Sequence, residues 1–344
     1  MDFKPVRVGS VGLGRWAEVI AKAAARTNKI EVVSCFSRSV EKRDDFAAKF
    51  GCDTASSYEH LLADEGVEAI LCTTPNTEHA STITQAARAG KHVWTEKPIA
   101  HKMADAKRIA NAVREAGVTL AVGHSARLLG ASRKMKELID SGVVGNVSLI
   151  EANWSNERAL ELTPDMWRFY SDSTPGGPLI QLLVHHFDTA QYLLGPISEV
   201  MAYKCSCHAD AEVDDVAALV GQFKNRALSY FGSSWVSPGI YWINVYGTKA
   251  NLYHQLDFNF WTDPEVDKYT TLFQHVHGSS EHTPVEFPKT DMFPDELNTF
   301  AEAVRSGQKP EVGLEEAMQA LAVVEAAIRS ADEHRPVTVA EVLD

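Results

Sequence analysis

The chain of 344 residues is 45% hydrophobic and 23% charged, which supplies enough apolar material for two packed cores of ordinary domain size. A formal net charge of −13 excludes a protein that grips nucleic acid over a broad basic face, although it leaves room for a local basic pocket around a phosphate. No apolar run approaches the roughly 20 residues of a bilayer span, and residues 1–11 lack the succession of a signal peptide, so a cytoplasmic protein with no membrane contact is expected.

The first third alternates strand and helix. Residues 4–11 read as a strand ending at Gly12, and residues 14–26 as an Ala-rich helix. Residues 30–36 are β-rich, 40–50 helical, 52–55 a short strand and 57–63 a helix. The buried-type strand 69–72 is followed by a helix over 76–89 closed by Gly90. Strand 92–96, a helix over 103–116 closed by Gly117, and strand 119–122 complete the series. Alternation with apolar strands predicts a doubly wound parallel sheet covered on both faces, an α/β Rossmann domain over residues 1–124.

The remainder, 125–344, has another character. A helix over 128–141 precedes β-rich runs at 147–154, 200–207, 217–223, 227–235 and 242–246, interrupted by a helical insertion at 180–194. These runs predict an α/β domain built on a large, mostly antiparallel open sheet. Residues 257–293 read as strands and loops, and 295–306 and 314–330 as amphipathic helices, able to pack back on the first domain. The five cysteines, Cys35, Cys52, Cys72, Cys205 and Cys207, are scattered. Cys205-Ser206-Cys207 has no second pair at zinc-site spacing, so no metal is expected.

Gly12-Leu13-Gly14-Arg15-Trp16-Ala17 has the form G-x-G-x-x-A between a strand and a helix, the context that gives it meaning. Gly12 permits the tight turn, Gly14 a close approach of a pyrophosphate, and Ala17 close packing of helix on strand. Free N–H groups at the helix start suit the phosphates. The second strand ends Phe36-Ser37-Arg38-Ser39, with no carboxylate for a ribose 2′-OH about 20 residues beyond the glycines. Ser37 and Arg38 can instead hold a 2′-phosphate, which favours NADP over NAD.

Further motifs recur at the strand ends: Thr74-Pro75-Asn76-Thr77-Glu78-His79, Glu96-Lys97-Pro98 and Val122-Gly123-His124. Gly176-Gly177-Pro178, His185-His186-Phe187-Asp188 and Tyr246-Gly247-Thr248-Lys249 follow. In this order and spacing the set resembles the Gfo/Idh/MocA oxidoreductases, named for glucose–fructose oxidoreductase and inositol dehydrogenase, over nearly the whole chain. The resemblance implies reversible hydride transfer between a nicotinamide and a carbinol carbon of a sugar, cyclitol or related polyol, in a homodimer or homotetramer joined through the open sheet. It makes Lys97 and His185 the catalytic pair and places Thr74, Pro75, Asn76, His79 and Glu96 with the motif residues around the cofactor. The family often carries Asp four residues before the histidine; here that residue is Gln181, which cannot accept a proton and leaves the burden on His185.

The chemistry agrees with these roles. A histidine titrates near neutrality and can exchange the alcohol proton. A lysine can hydrogen-bond the reacting oxygen and stabilise alkoxide charge. Asp188 would bind substrate or orient the insertion. Arg127, after the sixth strand, would reach a substrate or cofactor, or form a salt bridge between the two domains. Trp154, Arg158 and Arg168 suit a carbohydrate ring or an anionic substrate, and the aromatic ring suits sheet core equally. Competing readings are a dehydrogenase of dihydrodiols or cyclic hemiacetals, an NAD-assisted glycosidase, and a non-catalytic dinucleotide sensor or corepressor.

Overall fold

The structure, a computed structural model, describes residues 3–344. They divide into two compact units: one through His124 that also includes Met292–Met318, and one made of Ser125–Asp291 and Gln319–Asp344.

In the first unit, strands β1 (Val6–Val11), β2 (Ile30–Phe36), β3 (Asp53–Thr54), β4 (Ala69–Cys72), β5 (His92–Glu96) and β6 (Leu120–Gly123) form one parallel sheet in the order β3-β2-β1-β4-β5-β6. The connecting helices are α1 (Arg15–Ala24), α2 (Val40–Phe50), α3 (Tyr58–Ala63), α4 (His79–Arg88) and α5 (Met103–Ala116). β4 is buried at every residue, which is why it reads as an unbroken apolar run rather than an alternation. Local chemistry sets the helix limits: the Ser39 side chain accepts from the Lys42 N–H at the start of α2, and Gly51 takes the left-handed conformation at its end. Strand order reverses between β1 and β4, the switch point at which open sheets of this kind bind ligands.

In the second unit, β7 (Val147–Ser155), β8 (Ile197–Cys205), β9 (Val216–Phe223), β10 (Leu228–Ser234), β11 (Ile240–Gly247), β12 (Ala250–Leu256), β13 (Thr270–Val276), β14 (His282–Pro284) and β15 (Val337–Thr338) form a sheet ordered β14-β13-β12-β11-β7-β10-β9-β8-β15. Its pairings are antiparallel except β7 with β10. Alternation places Tyr241, Ile243 and Val245 of β11 on the buried face, beside Leu252 and His254 of β12. β12 escapes the reading of the sequence because one member of its inward row is a histidine. β8 begins at Ile197, ahead of the expected run at 200–207, and ends at Cys205. Helix α6 spans Gly130–Asp140. The helical insertion opens as a π-helix, Leu179–Leu183, before α7 (Val184–Leu194) takes over. π-turns of this kind are rare and concentrate at functional sites.

Helix α8 (Met292–Ser306) belongs to the first unit, so that unit is not confined to residues before 125. The reason is its apolar face. Phe293, Leu297 and Phe300 are buried, and the Phe293 ring lies 6.0 Å from that of Trp16. At its far end Arg305 makes a two-pronged pair with Glu68, 2.8 Å at each prong, which holds the Glu68 carboxyl down at about 2. Beyond α8 the Val312 carbonyl accepts the Val122 N–H of β6 at 3.0 Å. Helix α9 (Leu314–Glu333) starts in the first unit and continues from Gln319 in the second.

Candidate active site

At the switch point of the first unit, Gly12 has φ +87°, and a Cβ there would fall 2.5 Å from the Thr74 backbone nitrogen. Only glycine allows the β1 and β4 loops this close. The Thr73 hydroxyl fastens them by donating to the Val11 and Gly12 carbonyls at 3.1 and 3.0 Å. Gly14 differs: it has an ordinary backbone conformation, and a Cβ on it would meet nothing nearer than the Gly12 oxygen at 3.9 Å. The space over Gly14 is therefore open, and no side chain caps the α1 start that follows it. In the loop after β4 the Asn76 side chain is buried with its amide nitrogen lacking a protein partner among the described residues. A buried donor without a partner costs about 1–3 kcal/mol. An open helix start and a buried amide donor left without a partner fit a dinucleotide's phosphates and hydroxyls.

The other candidates of this unit divide by contact. Leu13 packs onto the cluster of Ala17, Ala21, Cys35 and Phe46, and Trp16 is taken up by Phe293. Arg15 and Arg38 are exposed, and Ser37 is half-buried, its hydroxyl 3.4 Å from the Ser39 N–H. Pro75 leads into the short 3-10 turn Asn76–Glu78. His79 is wholly buried and braces two backbones: Nδ1 is 2.9 Å from the Pro98 oxygen and Nε2 is 3.0 Å from the Thr74 oxygen. Burial holds its pKa below the ordinary value against the pull of these carbonyls. A neutral ring donates through one nitrogen only, so His79 is a strut of the loop. Lys97 follows β5 directly, its peptide to Pro98 is cis, and its N–H donates to the Glu96 carboxylate at 3.3 Å.

In the second unit His185 is 5% exposed and stacks on Trp154, ring centroids 4.6 Å apart, with Trp261 edge-on at 5.8 Å. Trp154 also touches His186, Tyr241 and Phe258. Its ring is enclosed by other rings, so it is a platform for the histidine more than an open face for a sugar. Gln181, in the π-helix, accepts from Arg168 Nε at 3.2 Å, and the Arg168 guanidinium lies over the Trp167 ring at 4.1 Å. Arg158 is turned to Glu161 at 2.6 Å. Arg127 and Asp188 find one another: Nε donates to Oδ2 at 2.7 Å, and a second prong joins Nη2 to Oδ1. Both are buried, Asp188 being 1% exposed. No group of three or more His, Cys, Asp or Glu side chains among the described residues could hold a metal ion.

Tyr241, Trp261 and His254 complete the platform and carried no motif by which the sequence could single them out. His186 and His254 are fully buried and both pack against the Tyr241 ring, 4.8 and 5.5 Å from it. Burial pushes their pKa values down, to about 4 and about 3. The ordinary value is near 6.5, so as pH falls through 6.5 the unfolded chain takes up protons that the folded one refuses. Their stabilisation is therefore complete above pH 6.5 and falls progressively toward pH 4, by on the order of a few kcal/mol. His254→Leu is expected to lessen this dependence: the gap in urea midpoint between pH 7.5 and pH 5 should shrink relative to the parent, and an unchanged gap would sink the assignment.

Comparison with known proteins bears on the whole chain. Residues 6–124 match the model of the oxidoreductase family's NAD-binding Rossmann fold, and residues 136–339 that of its C-terminal alpha/beta domain. The chain belongs to the Gfo/Idh/MocA family. It is an oxidoreductase acting on CH–OH groups, with a Rossmann domain for NAD or NADP. Myo-inositol 2-dehydrogenase of Thermotoga maritima is 26% identical over 98% of this chain and 100% of its own. A 1,5-anhydro-D-fructose reductase of Ensifer adhaerens is 27% identical over 94% and 96%. A solved structure from Desulfitobacterium hafniense, provisionally named an NADPH-dependent oxidoreductase, is 42% identical, covers 100% of both chains and superposes with a TM-score of 0.97. No described helix is long and apolar enough to cross a membrane.

Proposed function

We propose that this Gfo/Idh/MocA protein is an NADP-preferring dehydrogenase or reductase for a secondary alcohol or ketone of a sugar, cyclitol or related polyol. The observation that carries the reading is the presence of both Lys97, directly after β5, and His185, on its aromatic platform. A sensor that only binds dinucleotide needs neither. The substrate class rests on the inositol dehydrogenase and anhydrofructose reductase relatives.

Gly12, Gly14, Asn76 and the α1 start would hold the dinucleotide, and Ser37 with Arg38 its 2′-phosphate. A bound nicotinamide supplies the two-electron acceptor or donor. Lys97 hydrogen-bonds the reacting oxygen and stabilises its negative charge, and His185 accepts or returns the hydroxyl proton. Arg168 and Gln181, already joined, offer hydroxyl-binding groups. Arg127 and Asp188 satisfy each other and hold α7.

Self-association through the sheet is part of the proposal, as a homodimer or homotetramer. Met201, Val220 and Tyr230 stand side by side across β8, β9 and β10, and the last two are 55% and 40% exposed. The five thiols are free, as suits the cytoplasm.

The test is a fluorescence titration with NADPH and NADH, then turnover on a panel of polyols and keto sugars. NADPH should bind more tightly, and Arg38→Ala should weaken it about tenfold while changing NADH about twofold or less. Tighter NADH binding by the parent would refute the NADP preference. Tight binding with no turnover across the panel would favour a sensor.

A further inference from the structure

One motif remains outside this chemistry. Cys205 ends β8, and Cys207 lies two residues on, in the loop that leads to β9. Both are exposed, and their sulfurs are 2.9 Å apart. That is nearer than ordinary non-bonded sulfurs and a short approach from the ~2.05 Å of a disulfide. The loop around them is tightly held. The buried Asp215 carboxylate accepts the N–H groups of Cys207, His208 and Ala209 at 2.9, 2.7 and 2.8 Å, and the Asp215 N–H donates to the Cys205 carbonyl at 2.9 Å.

The same loop touches both segments that carry the candidate substrate groups. The Glu212 N–H donates to the Phe169 carbonyl at 3.0 Å, one residue beyond Arg168. The Asp214 carbonyl presses on Gly177 so closely that a Cβ there would sit 1.8 Å from it. Gly177 in turn accepts the Gln181 N–H at 3.2 Å. Backbone contacts thus join the loop that holds Cys205 and Cys207 to the Arg168 segment and to the π-turn ahead of His185.

We propose that Cys205 and Cys207 are a redox site for small-molecule disulfides, closing reversibly to an intramolecular disulfide that shifts the Arg168 and Gln181 segments. In this scheme Cys205, its thiol held up at about 11 chiefly by its hydrogen bond with Cys207 and then by burial, is the resolving thiol, and the attack starts from Cys207. Its thiolate displaces one RS⁻ from RSSR and forms a mixed disulfide. That step removes the partner thiol that held the Cys205 proton. Cys205, losing its proton, then attacks the Cys207 sulfur and expels the second RS⁻. Two thiols and RSSR become one protein disulfide and two RSH, two electrons passing to the reagent and the two protons to its leaving thiolates.

The test treats the full-length protein with bis(2-hydroxyethyl) disulfide and follows intact mass, peptide mapping and hydrogen exchange. Expected is the loss of two hydrogen masses in the peptide spanning 205–207, reversed by dithiothreitol. Amide exchange over 167–183 should change about twofold or more between the two forms. Cys205→Ser should instead trap the adduct on Cys207, and the double serine variant should show neither response. A lasting adduct on the parent protein, a disulfide with unaltered exchange over 167–183, or the same response in the double variant would each overturn the proposal. These readouts need no alcohol substrate, so failure of the dehydrogenase assay bears on the proposed function and leaves this result standing.

Discussion

An H185N enzyme is expected to turn over its alcohol about 10²–10⁴-fold more slowly, the usual worth of a positioned general base, while binding the nicotinamide cofactor as before. The imidazole stacks on Trp154 with Trp261 edge-on to it, and Asn retains much of its polarity without an imidazole nitrogen to exchange the proton. Packing should survive, so the loss would fall on kcat. Lys97→Met removes a different contribution, the positive charge on the developing alkoxide, and should cost about 10²–10³-fold. Steady-state kinetics beside a cofactor titration separates chemistry from binding. Turnover of H185N near the parent rate would transfer the role of base to another group, Lys97 first.

Both sheets were legible because strong periodicities announce them: unbroken apolar runs such as Ala69–Cys72 for the parallel strands, alternation for the antiparallel ones. The glycine turn and the strand-end motifs were legible because each has a local reason, Gly12 above all. What escaped the sequence is tertiary. β12 was hidden by His254, whose burial nothing nearby announces. The π-turn at Leu179–Leu183 cannot be told from an α-helix by spacing alone. Arg127 and Asp188 were each read as a ligand group or a structural one, and a pairing across 61 residues has no local signature. Trp154 looked equally like a sugar platform and core, and only its enclosure by four further rings besides His185 decides which face it offers.

Arg127→Met is expected to destabilise the second unit by about 3–5 kcal/mol, because it leaves the Asp188 carboxylate buried without its partner. The geometry is what makes the effect large: two prongs, both groups buried, and the Tyr192 ring 5.2 Å from the guanidinium carbon. The pair as a whole is worth much less than the loss of one member, since desolvation of two charges offsets most of their attraction. The double variant Arg127→Met/Asp188→Leu should therefore regain most of the stability, and urea unfolding of the two variants measures the difference directly. Kinetics distinguishes support from substrate contact. Asp188 lies three residues beyond His185 on α7, so loosening it should lower kcat. A stable R127M protein with a raised KM and an unchanged kcat would instead place the guanidinium on the substrate.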